Sequence, residues 1–104
     1  MIIYHNPRCS KSRQALGLLK ENGEEPDVIE YLKEPLGQAE LEGLLKKLKV
    51  PAHDLLRVKE DEYSELGLSP DTPAEDILTA IALNPILLER PIVVKGRKAV
   101  IARP

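Results

Sequence analysis

The segment YHNPRCSKSR, residues 4–13, contains Cys9, the only cysteine of the chain. Three basic residues, Arg8, Lys11 and Arg13, lie within four positions of it, and a helix is expected to begin near Cys9. A helix N-terminus lowers the pKa of a thiol, and its free N–H groups bind oxyanions. Cys9 is therefore a candidate nucleophile toward an anionic electrophile. The alternative is a small buried apolar residue, a role that many free cysteines have.

Four more residues could serve such a site: His5, Arg57, Arg90 and Arg103. Guanidinium groups bind oxyanions through two parallel hydrogen bonds. Each arginine taken alone fits a surface salt bridge better than a ligand-binding role, and His5 fits an ordinary polar residue at a strand end. Sequence spacing does not bring any of them to Cys9.

The elements around Cys9 read as strand, helix and strand. Residues 1–4 predict a short buried strand, and a helix is predicted from Cys9 or Ser10 to residue 22, where Gly23 stops it. Residues 27–32 predict a second strand. This order within about 30 residues is typical of a βαβ unit.

The middle of the chain is predicted to be helical and its end to be a hairpin. Leucines spaced i, i+3, i+4 and i+7 predict a helix through residues 41–48. Residues 72–75, Thr-Pro-Ala-Glu, have the pattern of a capping box with proline at the first helical position, whereas residues 60–71 are polar and predicted to be irregular. Residues 92–94 and 98–102 flank a glycine turn, which predicts a β-hairpin. The fold class is therefore α/β, a sheet with helices packed on it.

Composition excludes several classes of protein. The length of 104 residues indicates one domain, and 42% hydrophobic residues are enough for a core. A net charge of −2 argues against a general nucleic-acid binder, and no apolar run approaches the roughly 20 residues of a membrane span. One cysteine cannot form an internal disulfide, so we expect a soluble protein of a reducing compartment, the cytoplasm.

Four motifs occur in an order that resembles a known family. YHNPRCSKSR, LLR at 55–57, ERPIVV at 89–94 and ARP at 102–104 resemble the glutaredoxin-linked arsenate reductases, the ArsC family. ENGEEP, EYL and YSELGL extend the resemblance over nearly the whole chain. It implies a single thioredoxin-like domain over residues 1–104, with a mixed four-stranded sheet and a helical insertion at roughly 36–85. The family continues into a C-terminal helix, which we expect to lie beyond Pro104.

The resemblance also implies roles for individual residues. Cys9 corresponds to the catalytic cysteine that attacks arsenate. Arg57, Arg90 and Arg103 correspond to the three arginines that bind the oxyanion, and we expect them to converge on Cys9.

The remaining matches support the cysteine. His5 corresponds to a histidine that adjusts the pKa of the thiolate. Asn6, Ser12 and Arg13 correspond to the residues that hold the loop and the start of the helix. Pro91 opens the strand that faces the thiol in thioredoxin-like folds, so we predict that the Arg90–Pro91 peptide bond is cis.

The reductant is expected to come from outside the chain. Reduction of As(V) to As(III) takes two electrons and a second thiol, but the position of a Cys-x-x-Cys partner holds Ser12. Glutathione, with glutaredoxin, is the co-substrate that the resemblance implies, and the Ser12 hydroxyl is predicted to donate a hydrogen bond to the Cys9 thiolate. We expect no metal, no bound cofactor and a monomer.

Two other classes of function stay open at this point. Spx-type regulators share the fold and bind RNA polymerase, but they usually carry Cys-x-x-Cys, which Cys9-Ser10-Lys11-Ser12 does not provide. A glutathione-dependent thiol transferase does not need three arginines. Best-studied family members read Cys-Gly-Thr-Ser-Arg at the cysteine, so the sequence leaves the physiological substrate open.

Overall fold

A computed structural model describes residues 1–102 of the chain. The strands are β1 (Ile2–His5), β2 (Asp27–Glu30), β3 (Ile92–Lys95) and β4 (Lys98–Ile101). The helices are α1 (Ser10–Glu21), α2 (Gln38–Leu48), α3 (Asp61–Glu65) and α4 (Ala74–Leu83), and short 3₁₀ helices occupy Ala52–Leu55 and Pro85–Leu87. None of the helices within residues 1–102 combines the length and the apolar composition that crossing a membrane requires.

The strands of the described residues form one sheet in the order β2-β1-β3-β4. Strands β1 and β2 are parallel, with Ile3 opposite Val28, whereas β3 is antiparallel to both β1 and β4. A parallel pair needs a crossover connection, which α1 supplies. The mixed four-stranded sheet and its βαβ…ββ order confirm the predicted fold class.

The chain divides into two compact units. The first contains residues 1–34 and the described residues from Arg90 onward, so it holds the whole sheet and α1. The second is Pro35–Glu89 and contains α2, α3 and α4. The expected insertion at 36–85 lies within this second unit, and the single-domain description stays a prediction.

The first unit buries apolar side chains against its sheet. Ile3, Tyr31 and Ile92 are fully buried. Helix α1 ends as predicted, because Gly23 has φ +80, a conformation that other residues disfavour. This turn leads the chain directly into β2.

The second unit is built on its two longer helices, and the leucine spacing predicts the first of them. Helix α2 packs against α4. The buried side chains of the two helices are Leu41, Leu44, Leu48, Ile77, Leu78 and Ile81. The buried leucines of α2 follow the predicted helical spacing, so the prediction for this helix is confirmed.

Two local predictions in the second unit are wrong. Residues 60–71 are not irregular throughout, because α3 begins after Glu60, and Asp61 and Glu62 place negative charge in its first turn. The capping box at Thr72 does not form, since α4 begins at Ala74 without a side-chain cap. The Thr72 hydroxyl instead accepts a hydrogen bond from the Ser69 N–H at 2.9 Å.

Candidate active site

Cys9 is the N-cap residue of α1, and backbone contacts hold the loop that precedes it. The Cys9 N–H donates to the Asn6 carbonyl at 3.0 Å, and the Arg13 N–H donates to the Cys9 carbonyl at 3.0 Å. The Cys9 backbone is extended, with φ −98 and ψ 123. Its half-buried thiol therefore lies at the helix N-terminus, as the sequence predicts.

The surroundings of Cys9 favour its thiolate. Burial is the largest single influence and raises the pKa of the thiol. The N–H of Ser12, the charge of Arg90, the N–H of Lys11 and a hydrogen bond from Arg90 act in the opposite direction, and the net pKa lies below its ordinary value. These donors and the guanidinium stabilise the negatively charged thiolate more than the neutral thiol.

Strand pairing brings Arg90 to Cys9 across most of the chain length. Tyr4 pairs with Ile92 in the antiparallel contact between β1 and β3. The residues that enter β3 therefore lie beside the carboxyl end of β1, where the Cys9 loop begins. The Arg90–Pro91 bond is cis, which confirms the prediction.

A buried polar network supports the loop. The Ser12 hydroxyl is fully buried and lies 2.7 Å from His5 Nδ1, and it accepts a hydrogen bond from the Asn6 N–H at 3.0 Å. Burial is the main cause that lowers the pKa of His5. A neutral His5 with its proton on Nε2 lets Ser12 donate to Nδ1 while it accepts from Asn6. The network ties β1, the loop and the first turn of α1 together.

This geometry corrects the predicted role of the Ser12 hydroxyl. The expected hydrogen bond from the hydroxyl to the Cys9 thiolate is not the contact that Ser12 makes. The backbone N–H of Ser12 favours the thiolate, while the hydroxyl is directed to His5 and Asn6. With the His5 proton on Nε2, the single proton of the hydroxyl goes to His5 Nδ1.

The Arg13 side chain holds the loop before Cys9, and Arg8 and Lys11 contribute backbone N–H groups. Arg13 Nη1 donates to the Pro7 carbonyl at 2.8 Å, and the Arg8 N–H donates to Asn6 Oδ1 at 3.0 Å. Lys11 contributes through its backbone N–H. The guanidinium that favours the thiolate belongs to Arg90 and not to Arg13.

The described residues do not test whether the other two predicted arginines lie beside Cys9. Arg57 lies in the second unit, where its N–H donates to the Leu87 carbonyl at 2.8 Å. Its Nη2 lies 2.6 Å from Glu60 Oε1. Arg103 lies outside the described residues. The structure thus brings together Cys9, Arg90 and the His5 network, and the convergence of Arg57 and Arg103 on Cys9 stays a prediction.

Sequence reasoning missed two pairs in the second unit. Glu60 follows Arg57 by three residues, a spacing at which opposite charges meet in helices and turns. This spacing could have predicted the ion pair from the sequence. His53 Nε2 lies 2.8 Å from the Tyr63 hydroxyl, with the two rings edge to face. No local pattern indicates that second pair, because it depends on how α3 folds back.

Known proteins resemble the chain over nearly its whole length. The sequence profile of the ArsC family matches residues 4–104. The uncharacterized protein YfgD of Escherichia coli strain K12 is 54% identical over 98% of this chain and 87% of its own length. An arsenate reductase of Neisseria meningitidis serogroup A is 49% identical over 98% of this chain and 89% of its own.

A solved structure has the same fold as this chain. The arsenate reductase from Vibrio cholerae superposes with a TM-score of 0.95 at 41% sequence identity, covering 99% of this chain and 89% of that one. The sheet and the thiol at the start of α1 define a thioredoxin-like protein. Within that class, the chain belongs to the ArsC family.

Proposed function

We propose that this protein is an arsenate reductase whose electrons come from glutathione and glutaredoxin. The observation that carries the proposal is the Cys9 thiol of lowered pKa beside the Arg90 guanidinium at the N-terminus of α1. A thiolate, free N–H groups and a guanidinium suit a reaction with an anionic oxyanion. The arsenate reductases of Neisseria meningitidis and Vibrio cholerae support the choice of arsenate.

In the first step, the Cys9 thiolate attacks the arsenic atom of arsenate. A sulfur–arsenic bond forms, and one oxygen leaves as water after taking up protons. Arg57, Arg90 and Arg103 bind the remaining oxygens and neutralise their charge, which is the main electrostatic requirement for a nucleophile to approach a polyanion. The N–H groups of the first turn of α1 add to this stabilisation.

The second thiol comes from outside the chain. Cys9 is the only cysteine, and Ser12 stands where a resolving cysteine would be. Glutathione supplies the thiolate that attacks the arsenic bound to Cys9. Glutaredoxin then resolves the resulting species, which contains Cys9, arsenic and glutathione, and regenerates Cys9. In the complete reaction, arsenate and two external thiols give arsenite, one disulfide and water, so two electrons pass from sulfur to arsenic.

No bound cofactor takes part in this scheme. Within residues 1–102, no group of three or more His, Cys, Asp or Glu side chains is placed to hold a metal ion. The electrons come from diffusible thiols, so we propose that the protein works in the reducing cytoplasm, where glutathione is abundant, and that it acts as a monomer.

The test is a coupled assay that follows NADPH oxidation with glutathione reductase, glutathione, glutaredoxin and arsenate. We expect oxidation that requires every component and is absent in the Cys9→Ser variant, whose melting temperature should match that of the parent. Turnover that persists in Cys9→Ser, or no arsenate-dependent oxidation at all, would overturn the proposal.

The same assay separates the alternative functions. Undiminished turnover with thioredoxin and its reductase, without glutathione and glutaredoxin, would assign a different reductant. Reduction of a glutathionyl disulfide with no response to arsenate would indicate a thiol transferase. Binding to RNA polymerase without any turnover would indicate a regulator of the Spx type.

A further inference from the structure

The guanidinium of Arg57 is already bound by a carboxylate of its own unit. Arg57 Nη2 lies 2.6 Å from Glu60 Oε1, and the two side chains are only 17% and 26% exposed. The Glu60 N–H also donates to the Arg57 carbonyl at 3.1 Å. A charge-assisted hydrogen bond that is largely withdrawn from water is stronger than an exposed ion pair.

Both partners of this contact are anchored by the fold. The backbone of Arg57 is held by the Leu87 carbonyl, and Glu60 is the N-cap residue of α3. Tyr63, in the same short helix, is held by His53 Nε2 at 2.8 Å. These contacts fix the backbone positions of Arg57 and Glu60, so the two side chains stay within reach of each other.

We propose that Glu60 is a competing carboxylate, which occupies Arg57 in the absence of substrate and lowers the affinity of the enzyme for its oxyanion. This inference rests on the proposed function, because it takes Arg57 as a substrate-binding residue. An oxyanion that binds Arg57 must share or displace the Glu60 contact. The negative charge of Glu60 also repels an incoming dianion at close range.

The contact has a consequence for specificity. An anion of low charge gains little from Arg57 while Glu60 neutralises the guanidinium. A doubly charged tetrahedral oxyanion that also reaches other cationic groups gains enough to compete. Glu60 therefore disfavours anions of low charge most, and it sets a higher affinity threshold for all oxyanions.

The test variant is Glu60→Gln, which removes the charge but keeps the side-chain length and an amide oxygen that can still accept from Arg57. We expect the KM for arsenate to fall about fivefold, the upper end of the range measured for ion pairs near a surface, while kcat changes little. Inhibition by sulfate, an inert dianion, should strengthen by a similar factor. The matched control is Glu65→Gln, the same charge change at an exposed position of α3, which should leave both values unchanged.

A double-mutant comparison shows whether Glu60 acts through Arg57. In an Arg57→Ala background, the substitution Glu60→Gln should lower KM by a clearly smaller factor, because only the direct repulsion between Glu60 and the anion remains to be removed. An equal drop in that background, or an unchanged or raised KM in the single variant, would overturn the inference while the proposed function stands. Absence of arsenate-dependent turnover in the parent protein would overturn both.

A melting curve of each variant shows that it is folded. If Glu60→Gln fails to fold, Glu60→Asp takes its place, because it withdraws the carboxylate by one methylene and keeps the charge. Its KM should fall in the same direction and by a smaller factor. An unchanged KM in a folded Glu60→Asp protein would then count against the inference.

Discussion

Replacing Ser12 by alanine should destabilise the protein more than any exposed serine substitution does. The Ser12 hydroxyl is fully buried and bonded to His5 Nδ1 and the Asn6 N–H. Both of those residues are themselves buried. Alanine leaves two buried polar groups without their partner, and little water can reach them.

The expected magnitude follows from these two contacts. A buried polar group that loses its partner costs about 1–3 kcal/mol, so Ser12→Ala should cost about 2–4 kcal/mol after the loop relaxes. At about 2.1 cal/mol/K per residue, a chain of 104 residues has an unfolding entropy of about 0.22 kcal/mol/K. A loss of about 3 kcal/mol therefore lowers the melting temperature by about 14 °C.

Urea denaturation and thermal melting, both followed by circular dichroism, measure this loss. The control is Ser10→Ala, the same substitution at an exposed position of the same helical turn, which should change stability by no more than about 0.5 kcal/mol. If Ser12→Ala proves as mild as Ser10→Ala, the network does not stabilise the fold and the reasoning is wrong.

Three further predictions concern charge. Arg90→Gln should raise the pKa of Cys9, read from thiolate absorbance in the ultraviolet, whereas Arg97→Gln at the exposed hairpin turn should not; a parent pKa at or above about 8.5 would remove the activation argument. Burial lowers the pKa of His5, so neutral His5 contributes its full stability above about pH 6.5, and this contribution is lost as pH falls through the lowered pKa. The difference in unfolding free energy between the parent and His5→Asn should therefore shrink over that window. A constant difference would contradict this. Arg103→Ala should raise the KM for arsenate about tenfold or more with an unchanged melting temperature, and a fall in stability alone would remove Arg103 from the site.

Local patterns were enough for most of the secondary structure. The leucine spacing of α2 and the glycine turn between β3 and β4 depend on neighbours a few residues apart, so the sequence alone predicted them. A prediction failed where one side chain could form either of two local hydrogen bonds. The Thr72 hydroxyl could cap α4 or close the preceding turn, and it closes the turn with Ser69.

The sequence by itself determined the chemistry available to this protein. It contains one thiol, places it at the start of a helix and offers no second cysteine, so any disulfide or two-electron thiol chemistry needs an external partner. These properties depend on residue identity and on contacts within one helical turn. The resemblance in the motifs then identified the family.

Only the tertiary structure decided which charged group faces the thiol. Arg13 is close to Cys9 in sequence, yet its guanidinium bonds to Pro7, while Arg90 reaches the Cys9 site because β3 pairs antiparallel with β1. The direction of the Ser12 hydroxyl was decided in the same way, by the buried His5 ring that packs against it. Hydrogen bonds between distant residues follow from strand register and burial, which no local spacing encodes.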